Sequence, residues 1–153
     1  MRTPELTDIL NYLPTTATLS SAGQPTAEQF AAIAAAGFEV VVNLALSTSG
    51  DALPNESDIV AAHRMTYVHI PVVWENPTMQ DLDDFFAAMD AHQGQKVFLH
   101  CAVNKRASAF GFLYSVLRAG IPVAEANKTM HQIWRPNHTW RHFIDAALAE
   151  KAT

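Results

Sequence analysis

Val97-Phe98-Leu99-His100-Cys101 is an apolar run that ends on the chain's single cysteine, and Ala102-Val103-Asn104-Lys105-Arg106 follows it before a helix-forming segment. The pattern predicts a buried strand that delivers a thiol into a short polar loop, with a helix starting just beyond. Such a helix turns several unpaired backbone N–H groups and the positive end of its dipole toward Cys101. Only a thiolate attacks well, and a helix N-terminus beside a cation stabilises one. Arg106 supplies the cation, and its planar fork matches a pair of phosphate oxygens. Arginine in a first turn opposes the helix dipole, which points to an anionic partner. Lys105 is expected to face solvent and to add to the field at the loop mouth.

Outward from this stretch, strand and helix patterns alternate. Residues 1–16 read as a surface lead-in with one helical turn around Leu6 to Tyr12, and Ala17 to Ala22 as a first strand. Thr26 and Gln29 have capping-box spacing ahead of a helix that closes at Gly37. Glu39 to Leu46 reads as a strand covered on both faces, and Ser47 to Asn55 as a loop. Ser57 to Met65 reads as a helix and Tyr67 to Val73 as a strand. Thr78 caps a further helix whose Leu82, Phe85, Phe86 and Met89 share one face, with Gly94 closing it. After the cysteine loop, Phe110, Leu113, Tyr114 and Leu117 mark another amphipathic helix, ending at Gly120. Val123 to Trp134 and Thr139 to Ala149 complete the set, separated by a turn at Arg135-Pro136-Asn137. The fold class implied is α/β: three layers, an open, mostly parallel sheet flanked by helices on both faces, with ligands bound beyond the carboxyl ends of strands.

The His100-Cys101 loop with Arg106 and Ser108 resembles the signature of the cysteine-dependent phosphatases of the protein tyrosine and dual-specificity superfamily, H-C-x5-R followed by Ser or Thr. Here the arginine comes one residue early, as C-x4-R. Either the loop is one residue shorter and Arg106 still closes on phosphate, or an ungapped alignment places Ala107 at the arginine position and the chain is a pseudoenzyme. The shortened loop is the preferred reading, because a guanidinium beside a nucleophilic cysteine has an electrostatic use. Asn104 occupies the position where the family usually has glycine, and Asn tolerates left-handed backbone better than most residues. From about Ala17 to Ala147 the layout is similar to a small bacterial branch of this superfamily.

The resemblance implies roles residue by residue. Cys101 would be the nucleophile, and Ala102, Val103, Asn104, Lys105 and Arg106 would form the phosphate-binding loop. His100 would hydrogen-bond around the loop and help hold the thiolate. Ser108 would stabilise the thiolate as the leaving group departs, or else cap the helix. A general acid is also needed, normally an aspartate on a neighbouring loop, and Trp74-Glu75-Asn76-Pro77 is that loop here. Counting back from Asp81-Leu82 lands on Asn76, which has no proton to give, so Glu75 is the nearest carboxylic acid. Asp81 is the fallback, although its place in a first turn suits it to balancing the dipole. Trp134-Arg135-Pro136-Asn137 and Trp140 could supply a pocket wall or leaving-group contacts, with core the preferred reading for the tryptophans.

Composition narrows the function classes. At 153 residues the chain fits one domain, spanning 1–153, and a formal net charge of -5 argues for a local phosphate pocket rather than broad capture of nucleic acid or membrane. One cysteine makes no internal disulfide, and a reactive thiol suits a reducing compartment such as the cytoplasm. No stretch reads as a membrane span. His138 and His142 stand four apart, yet lack the H-E-x-x-H register of a zinc site, and no Gly-rich nucleotide fingerprint is present, so neither metal nor cofactor is expected. Three activities remain. The first is hydrolysis of a phosphomonoester through a phosphocysteine, the second an oxyanion-binding module for phosphate or sulfate without turnover, and the third a rhodanese-like sulfurtransferase. Substrate identity and oligomeric state are not set by the sequence.

Overall fold

The computed structural model of the protein describes residues 5–152. A 3-10 turn, Leu6–Asp8, leads into β1 (Leu13–Pro14) and β2 (Leu19–Ala22); then come α1 (Gln29–Ala35), β3 (Phe38–Asn43), α2 (Glu56–Ala62) and β4 (Thr66–His69). The second half runs α3 (Met79–Ala91), β5 (Lys96–His100), α4 (Lys105–Leu117), α5 (Val123–Met130) and α6 (His138–Lys151). The five strands lie in the order β1-β2-β5-β3-β4. Only the β1–β2 pair is antiparallel; β2, β3 and β4 join the sheet by parallel pairing. The cysteine strand is therefore central, with a parallel neighbour on either side.

Both faces of the sheet are covered, because strand side chains alternate. Leu19, Val40, Val42, Val97 and Leu99 pack under α3, α4, α5 and α6. Ala22, Val41 and Phe98 point the other way, against Phe30 and Ile33 of α1 and Val60 of α2. Phe38 lies on the second face although it is two residues from Val40. A register shift between Phe38 and Val40 explains this, since one extra residue in a strand flips side-chain parity.

Helix boundaries follow local chemistry. The Thr26/Gln29 box is formed, with reciprocal bonds of 2.9 and 3.3 Å, and Gly37 at φ +93 closes α1. Thr78 and Asp81 cap α3 in the same way, and its Leu82, Phe85, Phe86 and Met89 are all buried, each worth roughly 1.5–3 kcal/mol of transfer free energy.

Several expected elements are shorter in the structure. Ala17 and Thr18 fall outside β2, because the Thr16 hydroxyl accepts from the amides of Thr18 and Leu19 and turns the chain between β1 and β2. The two-residue β1 was not expected; its Pro14 is tolerated because β1 is an edge strand. The strand expected to reach Val73 ends as β4 at His69, yet Ile70 and Val72 still donate to Asn43 and Leu44, so the chain stays beside β3 up to the site. The helix expected to reach Trp134 ends at Met130, whose carbonyl accepts from both Ile133 and Trp134 in a closing turn. Among the described residues no helix is long and apolar enough to cross a membrane.

Candidate active site

The loop begins where β5 runs out. The His100 carbonyl still accepts from Leu44, and the Cys101 amide still donates to Ala22, so both neighbouring strands hold the cysteine backbone. Asn104 then takes a left-handed conformation, φ +73, at the N-cap of α4. Its side chain does not cap the helix; Nδ2 donates to the Asn11 carbonyl at 2.8 Å, and Asn11 Nδ2 returns a bond to the Val103 carbonyl at 3.0 Å. From the other side Gly23 bridges to Val103, and the Gln24 amide donates to the Ala102 carbonyl.

With Asn104 turned away, an orphan donor of α4 is satisfied by sulfur. The Ala107 amide, third in the helix, donates to Cys101 Sγ at 3.4 Å. The thiol thus stands where a helix cap's oxygen normally would, a place that favours negative charge.

Cys101 and Arg106 line one pocket of about 200 Å³, together with Trp74, Val103 and Lys105. The Arg106 side chain is 8% exposed, and Nη1 donates to the Val72 carbonyl at 2.8 Å. That bond holds one arm of the guanidinium and places Arg106, not Ala107, in the pocket with the thiol. Lys105 is exposed, as the sequence suggested, and its Nζ lies 5.6 Å from the Trp134 ring and 6.0 Å from that of Trp74. The three side chains make a cationic, aromatic rim. Trp140 is fully buried, and its indole N–H donates to the Trp74 carbonyl at 2.9 Å, securing the rim from beneath. Trp134 differs from the core role expected of it: it is partly buried and stands at the edge of the site.

Behind the loop lies a polar chain that the sequence reading missed. His100 is 0% exposed; Nδ1 contacts the Cys101 carbonyl at 3.2 Å and Nε2 contacts Glu56 Oε2 at 2.7 Å. Glu56, at the start of α2 and 3% exposed, also accepts from Gln24 Nε2 at 2.8 Å. Burial pushes the Glu56 carboxyl up, but the His100 bond and charge, with help from Gln24 and His69, outweigh it and hold the group below the usual range. Glu56 stands 44 residues from His100, and no spacing in the sequence links the two.

The family model for a DSP-PTPase phosphatase fused to NAD+ kinase matches residues 7–135. The chain belongs to this phosphatase family. A DUF442 protein of Shewanella putrefaciens CN-32, named a candidate phosphatase, is 36% identical; the similarity covers 95% of this chain and 96% of that one, with a TM-score of 0.87. The fold is shared more distantly by Tk-PTP in its active form, at 19% identity, 92% and 95% coverage and TM-score 0.73. It is shared also by the kinase-associated phosphatase with its catalytic-site cysteine replaced by serine, at 11% identity, 99% coverage of both chains and TM-score 0.78. No curated protein matches the chain. The expected superfamily and three-layer fold are thus established, and the protein is a cysteine-based phosphatase.

The remaining expected residues of this phosphatase occupy varied places. Ser108 Oγ donates to the Lys105 carbonyl and accepts from the Trp134 indole N–H, both at 3.1 Å, so this hydroxyl links α4 to the rim. Glu75 is exposed on the turn beside Trp74, outside the set of residues lining the pocket. Asp81, expected to balance the dipole in the first turn of α3, accepts from the Thr78 amide at 3.1 Å and completes its capping box.

Proposed function

We propose that this phosphatase hydrolyses a phosphomonoester through a phosphocysteine on Cys101. The observation that supports the reading most is that Cys101 Sγ receives the Ala107 amide inside a pocket it shares with Arg106. In this mechanism the thiolate attacks phosphorus, the bond to the leaving oxygen breaks, and that oxygen takes a proton as alcohol or phenol. Water then attacks the phosphocysteine, releasing inorganic phosphate and restoring the thiolate. Arg106 and the amides of the loop from Ala102 to Lys105 hold the equatorial oxygens, where charge gathers in the transition state. Glu75 is the proposed acid, reaching the leaving oxygen from the rim turn, and His100 supports the loop from behind. Ser108 would act on the sulfur only after rotating from its bond with Lys105. A phosphorylated substrate, or free phosphate or sulfate, is the proposed partner, and a reducing compartment such as the cytoplasm suits the free thiol.

A second reading, an oxyanion-binding module without turnover, is favoured by the absence of any carboxylate from the residues lining the pocket. Phosphate release from an aryl phosphate separates the two. The wild-type protein should turn over, Cys101→Ser should lose activity entirely, and Glu75→Gln should lose about 10²-fold. Equal rates for wild type and Cys101→Ser would overturn the phosphatase mechanism.

A further inference from the structure

We infer that Asn11 is a positioning residue that holds the Asn104 side chain off the N-terminus of α4, leaving the Ala107 amide to the Cys101 sulfur. The inference rests on the reading of Cys101 as nucleophile.

The N-cap asparagines of α6 and α4 behave differently. Asn137, before α6, has extended backbone at φ -71 and ψ -179, and its Oδ1 accepts from the amide of Trp140, third in the helix, at 2.9 Å. That is the ordinary work of an asparagine in this position. Asn104 is the N-cap of α4, and the equivalent third residue is Ala107. Yet the Ala107 amide donates to Cys101 Sγ at 3.4 Å, and the Asn104 side chain makes no cap bond. A capping oxygen and the thiol would compete for one N–H. Asn55, before α2, also makes no cap bond, but it is exposed and its oxygen needs no protein donor.

Asn104 sits uncomfortably where it is. Its backbone is left-handed, φ +73 and ψ 8, and the residue is fully buried. Among the described residues its Oδ1 has no hydrogen-bond partner. Rotation onto α4 would relieve both conditions, because capping gives the oxygen a donor and takes extended backbone. Some other contact must oppose that rotation.

The opposing contact is Asn11, 93 positions earlier. Asn104 Nδ2 donates to the Asn11 carbonyl at 2.8 Å, and Asn11 Nδ2 donates to the Val103 carbonyl at 3.0 Å. A carbonyl only accepts, so both amide orientations are fixed by their partners. The two bonds are reciprocal and grip the loop at consecutive residues. Asn11 is itself left-handed, φ +52, a conformation that asparagine tolerates better than most residues. The preceding Leu10 carbonyl accepts from the Gly23 amide at 2.7 Å, so the segment that carries Asn11 is anchored just beyond β2. The lead-in thus acts on the thiol without touching it. It withholds the competing cap, and the helix terminus meets sulfur instead, favouring its negative form.

Asn11→Ala removes the bond to Val103 and disfavours the left-handed backbone that presents the carbonyl to Asn104. The rate of Cys101 alkylation by iodoacetamide in mildly acidic buffer should then fall by about tenfold, as Asn104 swings onto α4 and takes the Ala107 amide. Adding Asn104→Gly to Asn11→Ala removes the competitor, and the rate should recover to within about threefold of wild type. A merely structural Asn11 gives the opposite pattern, in which the second substitution compounds the loss. Either an unchanged rate in Asn11→Ala or a double variant slower than the single one refutes the inference and leaves Cys101 as nucleophile. A wild-type thiol no more reactive than a free cysteine refutes both. Should Asn11→Ala not fold, Asn11→Gly drops the Val103 bond without backbone strain, and the same pair of rates, alone and with Asn104→Gly, decides.

Discussion

Replacing Gly23 with alanine is expected to damage catalysis more than stability. The new methyl would lie 2.8 Å from the Ala102 carbonyl oxygen and 2.9 Å from Leu10 Cδ2. The leucine terminus has room to rotate, but the carbonyl is backbone, held by the Gln24 amide and one residue past the thiol. It stands about 0.6 Å inside ordinary van der Waals contact, so the loop must retreat by a comparable distance. Overpacking of this kind costs about 1–3 kcal/mol. For a chain of this size that lowers Tm by about 2–4 °C per kcal/mol. Catalysis is less forgiving, because displacing reacting groups by ~1 Å costs on the order of 10²-fold. Gly23→Ala should therefore lose about 10- to 100-fold in kcat/KM on an aryl phosphate while unfolding as one cooperative transition. Gly50→Ala is the control, since a methyl there meets nothing within 4 Å. If Gly23→Ala retained kcat/KM within about twofold of wild type, the view that the loop's backbone position sets the rate would be wrong.

Two further substitutions probe the same architecture. Asn104→Ala should destabilise by about 2–3 kcal/mol in urea denaturation, through left-handed strain and the lost bond to Asn11; Asn104→Gly, which escapes the strain, should fall between it and wild type, and equal losses would refute the strain argument. Glu56→Ala should cost about 1–3 kcal/mol by removing the acceptor that the buried His100 ring and Gln24 Nε2 share. Because folding lowers the Glu56 carboxyl from 4.5, its ionisation stabilises fully above that pH and loses this effect as pH falls through the folded value. Unfolding free energies measured from pH 7 to pH 3 should show the gap to Glu56→Ala narrowing only below about pH 4.5; a gap that widens on acidification would contradict the ionised assignment.

What could be read directly from the chain was local. Val97 to Arg106 carry strand, thiol, left-handed residue and helix start within ten consecutive positions, and each follows from short-range chemistry: β-favouring apolar residues, Asn at φ +73, then a segment that buries nine residues of α4. The capping box at Thr26 and the cap at Thr78 were equally legible, because the bonded partners lie three residues apart. The ambiguity over Arg106 and Ala107 was not resolvable locally, since both lie in the first turn and only the position of the Val72 carbonyl shows where the guanidinium goes.

The residues that tertiary structure alone supplied share one property, which is distance along the chain. Glu56 reaches His100 across 44 positions, Asn11 reaches Asn104 across 93, and Trp134 reaches Ser108 across 26. Gly23 reads as punctuation in the sequence and proves to be the close approach that lets β2 press against the cysteine loop. Short-range sterics and hydrogen bonding write the cysteine loop into adjacent residues. The carboxylate that holds its histidine, the carbonyl that aims its arginine and the indoles that frame its mouth come together only when parallel strands align their carboxyl ends, and no periodicity along the chain encodes that alignment.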